Sequence, residues 1–381
     1  MTQSPLQPVH VFPYCHKISG GHSNAIHGMV LAEISQGLDS LMFCPFCDDP
    51  SLEKLRRGII VARRHGPAGD LSNEQVFEVP VGGPRQIFHV HGVNGDIIHT
   101  AHRLRERSVP YVMTSHGALS YRGPVHFLKK FIVLNFFTGL VRKARGIHFL
   151  SELGRRRFHR LMPTWSGATL VAPHSLHVPD PSQFTAMSRA DFGVPADGFL
   201  FLFLGRIDVH TKGLDILVHA FSQVSAAGTV RLALVGPDWQ GGRAQLEALT
   251  RTLGCADRVH FLGPRYGAEK WAALRLADVF VSPSRWDAGP VALLEAIGVG
   301  IPAITTTVIN PAHELAEHNA AHLCAPTVSG VAHAMTTLMG NTALRKQLGA
   351  DGQTWVLHDC SRAVVGQAHA DFYERVLAGR P

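Results

Sequence analysis

The acids Asp287 and Glu295 stand eight positions apart in the stretch VSPSRWDAGPVALLEAIGVGIPAITT, residues 281–306. Apolar residues before it predict a strand over 278–282, and the pattern after Pro290 predicts a helix from Val291 to about Gly298. Proline is tolerated at a helix start, where its missing N–H has no intrahelical partner. Asp287 then lies in a loop facing a helix N-terminus, and Glu295 sits about one turn inside that helix. Free amides and the positive end of the helix dipole suit phosphate there, while carboxylates accept hydrogen bonds from hydroxyls. One segment thus offers donors for a diphosphate and acceptors for a sugar; read from spacing alone, it is equally a loop acid and a surface helix acid.

Other candidates fall at the ends of apolar runs. Arg206 and Lys212 flank the turn after FLFLFLG, where an arginine fork and a compact ammonium can neutralise phosphate, or are two surface cations on a turn. Gly20 and Gly21 follow the run VHVFPY and precede a helical pattern, so the backbone can approach a phosphate or simply turn. His91 and His116 each come directly before a glycine at a predicted strand end. His89 and His91 share one strand face and form half of a metal set, with no further ligands in sequence to complete it. Among 24 histidines, His89 is read as structural. Cys44 and Cys47 have C-x2-C spacing without a second pair, which argues against a zinc site.

The elements that must position these residues alternate between strand and helix patterns. Strands are predicted at VHVFPY, LMFC, GIIVARR, QIFHVHG and PYVMTSHG, with a helix over about 96–108, so the first half reads as a parallel sheet with crossover helices. Residues 178–198 lose the periodicity and gather prolines, as a linker does. FLFLFLGRID, RLALVG and RVHFLG then begin a second series. Residues 1–180 and 181–354 are expected to form two Rossmann-like domains, followed by a helix from Trp355 to Leu377 within 355–381. With 45% apolar residues the chain can build two ordinary cores.

Charge is uneven. Residues 121–160 hold ten basic side chains against one acid, Glu152, while the whole chain carries only +7. This segment suits a solvated basic face or an anionic membrane surface. No nucleic-acid module accompanies it, so nucleic acid is not expected as a partner. Neither a membrane span nor a secretory signal is read in the sequence, and six cysteines without an export signal indicate a cytoplasmic protein.

The acidic stretch resembles the E-x7-E signature of the retaining glycosyltransferases of family 4 (glycosyl transferases group 1), which have the α/β GT-B fold, two Rossmann-like doubly wound domains facing across a cleft. GRIDVHTKG resembles that family's GR…KG motif, SHGAL its histidine at a strand end, and Gly20-Gly21 its glycine-rich loop, all in the family's order. The resemblance implies that Asp287 contacts donor-sugar hydroxyls, Gly289, Pro290 and Val291 face sugar and phosphate, and Glu295 holds the ribose. Arg206 and Lys212 would bind diphosphate, His116 would face the donor sugar, and the last helix would cross back to the first domain. Asp287 departs from the usual glutamate by one methylene. No D-x-D occurs, so no metal and no other cofactor is expected.

The reading is a retaining, metal-independent glycosyltransferase that moves a sugar from a nucleoside diphosphate sugar, a UDP-sugar by preference, to a bacterial surface glycan or its lipid-linked precursor. The resemblance also implies front-face substitution, the leaving phosphate helping to deprotonate the acceptor. The first domain would bind the acceptor, with residues 121–160 available to hold the enzyme at the inner face of the cell membrane. A nucleotide-sugar epimerase of the same fold, or a non-catalytic nucleotide-sugar-binding protein, is the alternative.

Overall fold

The computed structural model of the protein describes residues 6–12, 21–43, 59–64, 75–83, 85–92, 95–114, 116, 139–195, 197–224 and 229–380. Gly20, Cys44, Cys47 and residues 121–138 of the basic segment lie outside the described residues. The chain forms two compact units, residues 1–175 together with 360–381, and residues 176–359.

The first unit is built on an eight-stranded sheet of order β4-β3-β2-β1-β5-β6-β7-β8. Its strands are β1 (Gln7–Val11), β2 (Leu41–Phe43), β3 (Ile59–Arg64), β4 (Gln75–Pro80), β5 (Gln86–His91), β6 (Tyr111–Thr114), β7 (Gly146–Phe149) and β8 (Ala168–Val171). Six of them run parallel, and β3 and β4 form an antiparallel pair at one edge. The sequence predicts β3 but not β4, whose QVFEVP mixes polar and apolar residues without a clean period. Strand alternation sends Phe88 and Val90 into one apolar core with Val9 and Val11. His10, His89 and His91 therefore share the opposite face.

Helix α1 (Gly21–Ser35) and the last helix belong to this unit and pack closely together. A Cβ on Gly366 would meet the Ala32 carbonyl oxygen at 2.2 Å, so only glycine permits that approach. Two further helices, α2 (Gly95–Glu106) and α3 (Glu152–Leu161), complete the labelled elements of the unit. The sequence predicts one C-terminal helix from Trp355, whereas the structure has two, breaking at Cys360 and Ser361. The Ser361 hydroxyl accepts the Val364 N–H as an N-cap, which starts a new helix over Arg362–Leu377 without glycine or proline.

The second unit holds a six-stranded parallel sheet of order β11-β10-β9-β12-β13-β14. The strands are β9 (Phe199–Leu204), β10 (Val230–Val235), β11 (Val259–Gly263), β12 (Val279–Ser282), β13 (Ala303–Thr306) and β14 (His322–Cys324). Helices α4 (Leu214–Gln223), α5 (Gly242–Thr252), α6 (Gly267–Leu276), α7 (Val291–Gly298), α8 (Ala312–Glu317), α9 (Val328–Gly340) and α10 (Thr342–Asp359) cover it; the last helix of the chain, Arg362–Leu377, is α11. Leu214, Leu217, Val218 and Phe221 repeat at helical spacing and fill one core with Phe201 and Phe203. Strand order reverses between β9 and β12 in this sheet and between β1 and β5 in the first. In open parallel sheets, such a reversal leaves a crevice at the carboxyl ends of the strands.

Candidate functional site

At the reversal in the second unit, the loop after β9 carries Arg206 and Lys212, and the loop after β12 carries Asp287. Lys212 Nζ lies 2.5 Å from Asp287 Oδ2, with both side chains largely buried. Gly289 donates its N–H to Asp287 Oδ1 at 3.2 Å, and Asn310 donates its own to the Asp287 carbonyl at 2.8 Å. The acid is therefore fixed from three sides. Two sequence-distant motifs meet in one ion pair.

A clamp that the sequence did not reveal holds the two loops together. Arg285 forks onto both carboxylate oxygens of Asp215 in α4 at 2.7 Å and donates to the His210 carbonyl at 3.0 Å. Its amide also donates to the Thr211 carbonyl. Burial raises the Asp215 pKa, but the Arg285 bonds win and hold it below the usual value; the same bonds raise Arg285. Gly213, which precedes α4, has φ +65, and a Cβ there would lie 2.2 Å from the Pro283 carbonyl oxygen.

Arg206 is exposed, and its guanidinium lies over the Trp239 ring, 4.4 Å from the centroid. That stacking restrains a flexible side chain while leaving its donor edge for an anion. Glu295 is 5% exposed and pairs with Lys270 of α6, Nζ to Oε1 at 2.5 Å, while the same ammonium stands 4.6 Å from the Trp271 ring centroid. Lys270 was not found in the sequence because nothing distinguishes a lysine in an ordinary helix. At the start of α7, Pro290 has no N–H and Val291 donates to the Gly289 carbonyl at 2.9 Å. The first bond into the helix is Leu294 N–H to the Pro290 carbonyl. The α7 amides ahead of that bond, on Ala292 and Leu293, stand beyond the three residues the sequence pointed to.

In the first unit, Gly21 is the exposed first residue of α1. His116 lies just past β6 with φ +43, a left-handed conformation that costs a non-glycine residue on the order of 1–3 kcal/mol and turns its ring toward the strand ends. Its Nε2 is 2.9 Å from His91 Nδ1, so the two histidines singled out in the sequence do meet. Behind them stand His10 and Glu33, which no motif in the sequence marks. His91 Nε2 contacts His10 Nδ1 at 2.9 Å, and His10 Nε2 contacts Glu33 Oε2 at 2.8 Å.

Glu33 is wholly buried and is the hub of a larger network. Ser40 donates to its Oε2 at 2.6 Å, and Tyr373 donates to Oε1 at 2.7 Å, where His369 Nδ1 also lies at 2.8 Å. From Tyr373 the chain continues through His89 Nδ1 at 2.7 Å, and from His89 Nε2 to Thr114 Oγ1 at 2.6 Å. Thr114 meets His148 Nδ1 at 3.0 Å, and His148 Nε2 ends on the Ala172 carbonyl at 2.9 Å.

Burial acts to raise the Glu33 pKa, but His10 and His369 outweigh it and hold the carboxyl far below its usual range. Burial, with neighbouring histidines, pushes His89 and His148 well below theirs. Burial and the Glu33 charge raise the Tyr373 phenol well above its own. The ligand atoms of His10, His89 and His91 lie within 4.8 Å of one another, which completes by distance the set that His89 and His91 half formed in sequence. Both ring nitrogens of each already serve a protein partner, and His91 stacks on His10 and on His89 with centroids 5.1 and 4.3 Å apart, while His10 and His89 are tilted by 32°. These residues do not fit a metal ion.

Comparison with known proteins gives a consistent picture. Residues 185–355 match the family model described as glycosyl transferases group 1. The chain is 26% identical over 364 residues to the phosphatidyl-myo-inositol mannosyltransferase of Mycobacterium leprae, covering 90% of each chain. It is 32% identical over 196 residues to the lipopolysaccharide core biosynthesis glycosyltransferase LpsD of Rhizobium meliloti, covering 51% of this chain and 54% of that one. Among solved structures, sucrose-phosphate synthase from Thermosynechococcus elongatus superposes with TM-score 0.75 at 19% identity, over 98% of this chain and 99% of that one. Anabaena HepE in complex with UDP and glucose gives TM-score 0.70 at 16% identity, over 96% and 98%. The fold is that of the GT-B glycosyltransferases.

Proposed function

We propose, on the premise that residues 185–355 make this chain a group 1 glycosyltransferase, that it transfers a sugar from a nucleoside diphosphate sugar, a UDP-sugar by preference, with retention and without a metal. The observation that carries the reading is the Lys212–Asp287 pair at the strand reversal of the second unit, beside Arg206. A diphosphate entering there exchanges one anion for another on Lys212. Asp287 is then released to accept hydrogen bonds from sugar hydroxyls. Glu295, paired with Lys270, offers its second oxygen to a ribose in the same way. The HepE structure with UDP and glucose supports the choice of uridine nucleotide, as an inference from a protein of the same fold.

Catalysis on this reading is electrostatic. Arg206, Lys212 and the amides at the start of α7 stabilise the departing diphosphate as positive charge develops on the sugar. The leaving phosphate takes the acceptor proton on the same face of the sugar. The acceptor is a surface glycan or its lipid-linked precursor, in keeping with the names of the M. leprae and R. meliloti relatives. Within the basic segment, α3 presents a shallow groove lined by Arg155, Arg156, His159 and Arg160, suited to an anionic headgroup at a membrane surface. No helix among the described residues is long and apolar enough to cross a membrane.

A thermal-shift panel of UDP, GDP, ADP and their sugar conjugates tests the donor site. Near 100-fold saturation one nucleotide family is expected to raise the midpoint by several degrees, and Arg206→Ala to abolish the shift. No shift with any nucleotide would sink the reading.

A further inference from the structure

The buried network of the first unit can be counted proton by proton. Among the described residues, ten hydrogen-bond contacts join its members: three link His116 to Glu33 through His91 and His10, two bring Ser40 and His369 to Glu33, and five run from Glu33 to the Ala172 carbonyl. Each contact needs one hydrogen. With Glu33 ionised and every histidine neutral, the side chains supply nine: one each from His116, His91, His10, Ser40 and His369 on the arms outside the five-contact run, and one each from that run's own Tyr373, His89, Thr114 and His148.

The deficit lies in that five-contact run. It begins on a carboxylate oxygen and ends on a carbonyl oxygen, both acceptors. Tyr373, His89, Thr114 and His148 each bring a single hydrogen between them. His148 must donate Nε2–H to Ala172, so its Nδ1 accepts from Thr114; Thr114 then accepts from His89 Nε2–H, and His89 Nδ1 accepts from Tyr373. Tyr373 has no hydrogen left for Glu33. Two acceptors would face each other at 2.7 Å in the interior.

Charge leads to the same point independently. Glu33 is wholly buried, and a lone buried carboxylate is costly unless paired. We propose that the network holds a tenth proton, located in the run from Glu33 through Tyr373 to His148, which makes the buried core of the first unit electrically neutral. Burial resists a cation on His89 or His148, and four donors favour the Glu33 anion; satisfied one at a time, these preferences would leave both an unpaired charge and a contact without hydrogen.

The other arm is then fixed. Glu33 accepts from His10 Nε2–H, His10 Nδ1 from His91 Nε2–H, and His91 Nδ1 from His116 Nε2–H. His10 and His91 are thereby positioning residues that hold the His116 ring proton on Nε2.

The test needs no substrate, so it stands or falls apart from the donor-site reading. The full chain, labelled with 15N in histidine rings and 13C in glutamate carboxyls, is followed by NMR from pH 7 to 9. One imidazolium or one glutamic acid is expected to persist at pH 9, and His116 to carry its proton on Nε2. Tyr373→Phe removes two contacts and one hydrogen, so the extra proton is expected to vanish. Ser40→Ala removes one contact with one hydrogen and is expected to keep it. The proposal is overturned if every histidine is neutral and every glutamate ionised at pH 9 in the wild type, if the signal survives in Tyr373→Phe, or if purified protein carries a stoichiometric metal ion.

Discussion

At the scale of single residues, each candidate acid of the second unit is matched by a lysine, and burial decides what that is worth. The Glu295 side chain is 7% exposed and that of Lys270 is 15% exposed. An exposed pair of this kind contributes little, but removing one partner of a buried pair leaves an uncompensated charge. Lys270→Met is expected to cost about 3 kcal/mol by urea denaturation, and adding Glu295→Gln to recover most of it. Additive losses in the double variant would mean that the pair is not coupled. Both members of the Lys212–Asp287 pair and one member of the other were readable in the sequence: Asp287, Glu295 and Lys212, like Arg206, stand in short motifs whose types suggest phosphate or hydroxyl ligands. Lys270, Arg285 and Asp215 were not, because each becomes distinctive only through a partner 25 or 70 residues away. His10 and Glu33 were equally hidden, since only the parallel register that sets His10 beside His89 brings β1 into the histidine cluster.

At the scale of elements, the loops carry function because rigid strands and helix starts fix their ends. The turn from Arg206 to Lys212 is held where α4 begins, at Gly213, with φ +65 and the Pro283 carbonyl where a Cβ would be. Gly241, ahead of α5, has a comparable φ of +75 with nothing within 4 Å. Gly241→Ala is therefore expected to cost about 1 kcal/mol, for backbone strain alone, and Gly213→Ala to cost more than that and to weaken nucleotide binding as well. Equal losses in thermal denaturation, with binding unchanged, would show that the Pro283 contact does not position Lys212. The parallel strands were legible from short apolar runs bounded by glycine and the helices from their period. The antiparallel β3–β4 pair was not fully legible because β4 lacks both signals, and the α10–α11 break depends on a serine cap in a sequence with no glycine or proline to mark it.

At the scale of the molecule, the chemistry of the first unit's interior makes stability depend on pH. His89 and His148 are buried with their pKa values well below the ordinary 6.5, and whichever group carries the extra proton, at least one of the two imidazoles stays uncharged. The unfolded chain takes up protons below pH 6.5 that the native unit refuses, so stability falls as pH drops through that value, by up to about 1.4 kcal/mol per pH unit for each such histidine. With the extra proton on an imidazole, Glu33 acts in the same direction lower down: its depressed pKa contributes stability that is complete above about 4.5 and is lost on further acidification. Guanidinium midpoints are expected to fall between pH 7.5 and 5.5, and a flat profile over that interval would contradict the buried neutral imidazoles. The second unit is continuous in sequence, whereas the first is completed by residues 360–381.

That discontinuity sets an order on the ribosome. His369, Phe372 and Tyr373 are wholly buried members of the first unit, yet they are translated after all 184 residues of the second. At roughly 5–20 residues per second, the early strands wait about 10–40 s for the helix that covers their histidine face. During that interval, Glu33 and His89 stand without their last partners, His369 and Tyr373, while the second unit is made. The unit that comes first in the gene is the one that finishes last, and its nascent form is the natural client for a chaperone.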